Sequence, residues 1–228
     1  VGAEALRGTW VQTVCIVLTL VTIFMGSFMG CTENGLKKRL AYSSISQISY
    51  VLLGVFLMTP VGLLGGLLQL LFHALAKIGV FQSAGSIIFL TGTETIGGFP
   101  GLGRRIPVTM GCFAALALSL VGIPPFGGFF SKWYLACGAA QTHEYVYIFV
   151  LVLSSLLNAV YFFKVIEKVF VQADKNRKPL HPEGKGVTEA PITIMIPVVT
   201  CILMILLLGV FNVKVIDILL ISLKGVAL

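Results

Sequence analysis

Charged residues are scarce in this sequence. Asp, Glu, Lys and Arg make up 11% of the 228 residues, and hydrophobic residues make up 57%. A soluble domain typically carries about 25% charged residues. The apolar runs reach about 20 residues, the length that a helix needs to cross a bilayer, and they lack the alternation of membrane β-strands. The sequence therefore excludes an ordinary soluble domain and a β-barrel, and it predicts an all-α, polytopic transmembrane bundle.

The sequence also lacks the motifs of common enzymes. We find no hydrolase triad, phosphate loop or metal cluster, and GLGRR at 101–105 is no dinucleotide fingerprint because no βαβ unit surrounds it. The five cysteines form no CxxC pair, so we interpret them as small buried hydrophobes. We expect no cofactor, metal or redox site within this chain.

The net charge of +7 does not indicate a nucleic-acid partner. Most basic residues lie in short connections between apolar runs, where membrane topology explains them. No charged leader or cleavage site precedes the first run, so we expect no signal peptide, and the missing initiator Met indicates a fragment or a processed chain.

The apolar runs predict about six crossings, one of them a discontinuous helix. The predicted spans are 11–31, 40–58, 63–90, 107–121 with 128–142, 145–170 and 191–211, followed by an amphipathic tail to 228.

The stretch GIPPFGG at 122–128 interrupts the fourth span. Its prolines and glycines break helices. If the two pieces form one broken crossing, the basic loops 32–39, 91–106 and 171–190 share one side, whereas two crossings would separate them. The positive-inside rule favours the first count and makes these loops cytoplasmic. We expect Pro124 and Pro125 to end the first half-helix and Phe129 to begin the second, with Lys132 near its N-terminus, where the helix dipole disfavours a cation.

Polar residues in two spans are the candidate functional groups. Gln69, His73 and Lys77 recur every four residues, so they share one helix face, and Lys132 follows the break. A mid-span lysine costs about 2.5–3.5 kcal/mol on insertion scales and is usually functional. His73 alone could equally be a packing residue.

Two other polar groups have simpler interpretations. The segment YSSISQISY at 42–50 places Ser43, Ser46, Gln47 and Tyr50 on one face, which either joins helices by hydrogen bonds or lines a polar path. Lys164, Glu167 and Lys168 lie near a span end, where they can reach the surface, and we interpret them as structural.

Three ordered motifs resemble one membrane-protein family. LKKRLAYSSISQISY (36–50), FHALAKIGVFQSAGSI (72–87) and ALSLVGIPPFGGFFSKW (117–133) are similar to the antiporter-like subunits of respiratory complex I, Mrp-type Na⁺/H⁺ antiporters and membrane-bound hydrogenases. The resemblance covers roughly residues 15–165. It implies two inverted five-helix repeats in the whole family protein, of which residues 1–170 resemble the second. Residues 171–190 would form a basic cytoplasmic loop, and 191–228 a final helix and tail.

The resemblance also implies residue roles. Lys132 matches the lysine of the broken helix, and His73 and Lys77 match the buried pair of the preceding helix. Some relatives have a histidine at the position of Gln69, so we expect Gln69 to be a water or hydrogen-bond link.

The sequence therefore predicts a proton-translocating membrane subunit with a relay through His73, Lys77 and Lys132. Its partners would be the lipid bilayer, homologous antiporter-like subunits, and protons or Na⁺, in a bacterial or archaeal cell membrane. The rival hypotheses are a Mrp-type Na⁺/H⁺ antiporter subunit and a non-conducting scaffold. The resemblance leaves open whether the assembly is a proton-pumping oxidoreductase or a hydrogenase.

Overall fold

The computed structural model describes residues 6–172 and 189–223. Its α-helices are α1 (Trp10–Thr32), α2 (Leu36–Phe56), α3 (Pro60–Thr91), α4 (Pro107–Val121), α5 (Gly127–Ala140), α6 (Tyr145–Phe170), α7 (Ile192–Val210) and α8 (Asn212–Leu223). Two short 3₁₀ turns, Ile96–Gly98 and Leu102–Arg104, lie between α3 and α4. This is the all-α membrane bundle that the sequence predicts.

Within the described ranges, four helices are long and apolar enough to cross a membrane: α1, α3, α6 and α7. α2 has 21 residues but is less apolar, because Lys37, Lys38 and Arg39 lie in its first turn and polar residues follow. The predicted span 40–58 starts just after this charged turn. The helix itself continues four residues further toward its N-terminus, to Leu36.

α3 is the central helix, and it packs against α2, α4, α5 and α7. Glycines make these contacts close. A Cβ atom on Gly65 would lie 2.6 Å from the backbone nitrogen of Leu135 in α5, and one on Gly54 of α2 would lie 2.6 Å from the carbonyl oxygen of Gly62. Membrane helices associate through such small residues because lipid tails provide no hydrophobic driving force between helices.

α4 and α5 are the two halves of one broken helix. They have 15 and 14 residues, about 22 Å each, so neither spans a hydrocarbon core of about 30 Å. The first half ends where the predicted span 107–121 ends, ahead of Pro124 and Pro125, which cannot extend it. α4 ends at Val121, because Gly122 adopts a left-handed conformation with φ +93° and caps it. The second half begins at Gly127, two residues before the predicted start at Phe129.

Three chain segments meet at one face of the bundle, which we call the basic face. The N–H of Leu36 donates to the carbonyl of Glu94 (2.9 Å), and that of Ile96 to the carbonyl of Asn34 (3.0 Å). The N–H of Gly101 donates to the carbonyl of Lys168 at the end of α6 (3.2 Å). The loops before α2, after α3 and after α6 therefore lie on the same side.

The opposite face holds the remaining connections. The side-chain amide of Gln12 donates to the carbonyl of Phe56 (2.8 Å), so the start of α1 lies beside the end of α2. A Cβ atom on Gly138, near the end of α5, would lie 3.2 Å from the Thr59 hydroxyl before α3. Because α4 begins at the basic face and α5 ends here, the two halves cross the bundle once.

Most of the predicted loop 171–190 lies outside the described residues. The described residues at its C-terminal end include Glu189, which contacts the start of α4. The Glu189 carboxylate accepts hydrogen bonds from the N–H groups of Val108 (2.8 Å) and Thr109 (3.2 Å) and from the Thr109 hydroxyl (2.7 Å). A carboxylate at a helix N-terminus satisfies donors that have no partner in the helix. Glu189 therefore attaches the start of α7 to the start of α4.

Candidate functional site

The polar face of α3 lies inside the bundle. Gln69, His73 and Lys77 are 3%, 7% and 7% exposed. Lys77 lies 17 residues after Pro60 and 14 before Thr91, roughly 26 and 21 Å from the helix ends. A lysine side chain cannot cover either distance, so its ammonium must find partners at this depth.

The partner of Lys77 is a main-chain oxygen. Its Nζ donates to the carbonyl of Leu40 in α2 at 2.7 Å and lies 5.6 Å from the ring centroid of Phe81. Within the described ranges no carboxylate lies within 4.0 Å of this ammonium. Neutral partners hold an ammonium less firmly than an ion pair would.

A hydrogen-bonded cluster joins three helices beside this face. The Gln69 amide of α3 donates to the side-chain oxygen of Gln47 in α2, and the Ser131 hydroxyl of α5 donates to the side-chain oxygen of Gln69 (2.6 Å). The Gln47 amide donates in turn to the carbonyl of Leu120 in α4 (3.2 Å). These three side chains are at most 3% exposed, and we call them the Gln–Gln–Ser cluster.

Lys132 connects to the same cluster. It is the sixth residue of α5, and its Nζ donates to the carbonyls of Leu120 (3.0 Å) and Val121 (2.7 Å). In an uninterrupted helix these carbonyls would bind the N–H groups of residues 124 and 125. Both of those residues are proline and have no N–H. The prolines therefore leave two acceptors free, and Lys132 binds them.

This geometry changes the expected electrostatics of Lys132. The sequence suggested that the N-terminus of α5 disfavours the cation. The ammonium instead lies at the C-terminus of α4, where unpaired carbonyls favour positive charge. Sequence spacing could not show this, because it places the residue on a helix but does not place the end of its side chain. The ammonium also lies 5.5 Å from the ring centroid of Tyr50, within cation–π range.

His73 lies between the two lysine sites. It is one helical turn from Gln69 and one from Lys77, and its buried Nδ1 has no hydrogen-bond partner among the described residues. A buried nitrogen without a partner is costly unless water reaches it. The Gln–Gln–Ser cluster and the Lys77–Leu40 contact therefore face each other across His73 without a continuous chain of side-chain hydrogen bonds.

A second buried polar cluster lies on the other side of Tyr50. The Tyr50 hydroxyl forms a hydrogen bond with the Ser154 hydroxyl (2.6 Å) and accepts one from the Asn158 amide (3.3 Å). The Tyr161 hydroxyl donates to the side-chain oxygen of Asn158 (2.8 Å). The Ser27 hydroxyl of α1 also bonds with Ser154. All five side chains are fully buried.

Sequence reasoning missed the members of these clusters that lie outside α2 and α3. Ser154, Asn158 and Tyr161 are spaced i, i+4 and i+7, a face that periodicity could have found. Ser131 had no such signal, because one serine beside a lysine indicates nothing by itself. Within the described part of the chain, no group of three or more His, Cys, Asp or Glu could hold a metal ion.

The segment that holds these residues matches a known membrane-protein family. Residues 4–158 match the model of the NADH:quinone oxidoreductase/Mrp antiporter transmembrane family. The chain belongs to this family. The match includes all four candidate residues, Gln69, His73, Lys77 and Lys132. Membership gives the chain its integral membrane character and its relation to antiporter-like subunits, whereas the role of each residue stays a prediction.

The similar proteins are subunits of respiratory and antiporter complexes. The chain is 39% identical over 201 residues to NADH-quinone oxidoreductase subunit N of Desulforudis audaxviator, covering 86% of this chain and 40% of the relative. It is 29% identical over 194 residues to F(420)H(2) dehydrogenase subunit N of Methanosarcina mazei, covering 81% and 38%. The chain thus spans about two fifths of the length of the curated relatives that it matches.

Solved structures show the same fold. The Mrp complex from a Dietzia species superposes with a TM-score of 0.80 at 26% identity, covering 90% of this chain and 45% of that one. Respiratory complex I from Thermus thermophilus superposes with a TM-score of 0.75 at 27% identity, covering 88% and 41%. Both support an antiporter-like arrangement of the helices described above.

Proposed function

We propose that this chain carries protons across the membrane as part of an antiporter-like subunit in a larger complex. The observation that carries the proposal is the pair of intramembrane lysines, Lys77 and Lys132, held by main-chain carbonyls on either side of the Gln–Gln–Ser cluster. A lysine within a membrane is expensive and is retained where it serves a pathway. Here both lysines face the protein, and Lys132 lies next to the break between α4 and α5.

The proposed relay runs along the face of α3. Lys77 exchanges a proton with His73, and the Gln–Gln–Ser cluster orients water between His73 and Lys132. Side-chain amides do not carry the proton themselves, but they supply both a donor and an acceptor to water. The break between α4 and α5 contributes free carbonyls, and irregular backbone at this depth is tolerated where it is buried or lines a wet cavity.

The orientation of the chain is part of the same proposal. The basic face carries Lys37, Lys38, Arg39, Arg104 and Lys168 on connections and helix ends. The positive-inside rule supports placing this face in the cytoplasm. Residues 1–170 would be the second of two inverted repeats, and the bilayer and homologous antiporter-like subunits would be the partners.

The Mrp likeness supports one alternative, namely Na⁺/H⁺ exchange by the same site. The neutral oxygen atoms of carbonyls and side-chain amides can bind Na⁺ in the same way that they bind an ammonium group. In that case transport would require Na⁺, and proton movement would stop in its absence.

Lys77→Met and Lys132→Ala test the proposal in vesicles containing the complex with the full-length protein. We expect either variant to reduce coupled proton uptake roughly tenfold or more, because each removes a titratable group from the pathway. Subunit content should stay unchanged. Uptake is measured with a pH-sensitive dye, with and without Na⁺. Normal uptake in both variants would favour a non-conducting scaffold.

A further inference from the structure

Arg39 is buried at the basic face, and among the described residues its guanidinium makes no ion pair. It is 5% exposed. Its Nη1 donates to the carbonyl of Tyr161 (3.1 Å), and its Nε and Nη2 donate to the carbonyl of Glu33. Within residues 6–172 and 189–223 no carboxylate oxygen lies within 4.0 Å of the guanidinium. A buried charge that has only neutral acceptors is costly unless a charged partner completes its environment.

The Glu33 carboxylate attracts Arg39 through space but does not form an ion pair with it. Glu33 Oε1 accepts hydrogen bonds from the N–H groups of Asn34 and Gly35, each at 3.0 Å. The N–H of Gly35, followed by the Lys38 ammonium and the N–H of Asn34, holds the pKa of the Glu33 carboxyl below its usual range. The hydrogen bonds of this carboxylate are made within its own loop, so its attraction to Arg39 acts without direct contact.

A cavity of about 450 Å³ opens beside Arg39, and we call it the Arg39 cavity. Two lysines of α6, Lys164 and Lys168, line it together with the carboxylate of Glu167. Asn34 and Gln172 also line it. Three cations against one carboxylate give the lining a positive balance, and the volume lies within the usual range of about 300–1,000 Å³ for ligand pockets.

The position of the cavity indicates which anion it would meet. Arg39 is the fourth residue of α2, and Lys164 and Lys168 lie in the last turns of α6. Helix ends of membrane-spanning segments lie at the level of the lipid headgroups. Phe163, beside Lys164 on α6, is 47% exposed, so an acyl chain could lie along this helix below the cavity.

We propose that the Arg39 cavity binds the phosphate group of an anionic phospholipid, with Arg39, Lys164 and Lys168 as its cationic partners. Basic pockets between transmembrane helices are a known form of lipid headgroup site. Asn34 and Gln172 supply neutral donors to the same phosphate. This inference goes beyond the proposed function and does not require that the chain transports protons.

The test uses the membrane complex that contains the full-length protein and a photoactivatable phosphatidylglycerol probe. Cross-linked peptides are mapped by mass spectrometry. We expect labelling at the start of α2 and the end of α6. Unlabelled phosphatidylglycerol should compete about tenfold better than phosphatidylcholine, because the zwitterionic headgroup carries no net charge.

Two double variants with equal charge loss distinguish binding in the Arg39 cavity from general electrostatic attraction of anionic lipid to the basic face. Lys164→Gln with Lys168→Gln should reduce the labelling of these peptides roughly tenfold. Lys37→Gln with Lys38→Gln, on the same face but outside the cavity lining, should leave it within about twofold. Arg39 is left unchanged because it also holds the carbonyls of Glu33 and Tyr161.

Three results would overturn the proposal. The first is equal competition by phosphatidylcholine, and the second is equal loss of labelling in the two double variants. The third is inorganic phosphate competing as well as phosphatidylglycerol, since the occupant would then be a free anion. Normal proton uptake in the Lys164/Lys168 variant with lost labelling would still support the site, which keeps this test distinct from that of the relay.

Discussion

The ammonium of Lys132 and the amide of Gln47 donate to the same acceptor, the carbonyl oxygen of Leu120, at 3.0 and 3.2 Å. One oxygen therefore connects the broken helix to the Gln–Gln–Ser cluster. If Lys132 loses its proton, the oxygen loses a charge-assisted donor and its bond to Gln47 changes in strength. We therefore predict that the protonation state of Lys132 affects the hydrogen bond between Gln47 and Gln69.

Lys132→Arg distinguishes a proton carrier from a fixed charge. Arginine keeps a donor for the carbonyls of Leu120 and Val121, but its guanidinium stays protonated in proteins. We expect coupled proton uptake to fall roughly tenfold or more while assembly of the complex is retained. Lys37→Arg, at the exposed surface, is the matched control and should transport normally. Normal uptake in Lys132→Arg would mean that Lys132 serves only as a permanent charge.

Gln69→Leu tests whether the Gln–Gln–Ser cluster belongs to the pathway. The change removes the bonds to Gln47 and Ser131 while keeping the side chain similar in size. We expect uptake to fall by roughly tenfold, with a stability loss of about 1 kcal/mol, the usual range for hydrogen bonds between membrane helices. Proton uptake and thermal unfolding of the purified complex provide the two readings.

Gln82→Leu is the control for this change, since Gln82 lies on the same helix but is not part of the cluster. Uptake lowered equally in both variants would show that a glutamine-to-leucine change in α3 disturbs packing in general. An unchanged rate in Gln69→Leu would remove the cluster from the pathway.

The sequence predicted the helices well because each apolar run carries its own boundary signals. α6 was predicted to the residue at both ends, since polar linkers flank the run. The shared face of Gln69, His73 and Lys77 follows from the helical period alone. The partners of the lysines could not be predicted, because the carbonyls of Leu40, Leu120 and Val121 belong to residues whose side chains give no polar signal. The end of α4 at Val121 was also predicted, but the left-handed cap at Gly122 was not, because it depends on a backbone conformation that several residues decide together.

Glu189 should contribute to stability by holding the start of α4. Glu189→Gln removes the negative charge facing the N–H groups of Val108 and Thr109. We expect a loss of about 1 kcal/mol, typical of a carboxylate at a helix N-terminus. Thermal unfolding measures it.

Glu144→Gln is the matched control, because Glu144 precedes α6 but makes no side-chain capping bond. Equal losses in the two variants would contradict the assigned role of Glu189. The Glu189 effect should also weaken as salt is raised, because charge–dipole interactions are screened.

Single cysteines in a background without native cysteines test the topology. We expect Lys38→Cys and Gly97→Cys to react with an impermeant maleimide from the same side of sealed vesicles, and Gln141→Cys to react from the other. The reason is that the loops around 34 and 95 bond to each other, whereas 141 follows the end of α5. Labelling of residues 97 and 141 from one side would show that α4 and α5 cross the membrane separately.

Lys132 is bound by main-chain oxygens, so the identity of the side chains at the binding positions matters less than the prolines at 124 and 125. The oxygens that hold Lys132 belong to Leu120 and Val121, yet exchange of those side chains for other apolar residues leaves the oxygens in place. We expect a change at 124 or 125 to add a backbone N–H that competes for these oxygens without altering the lysine itself. Mutational sensitivity in this segment should therefore fall on residues that make no contact with the ammonium, and a scan limited to contacting side chains would overlook them.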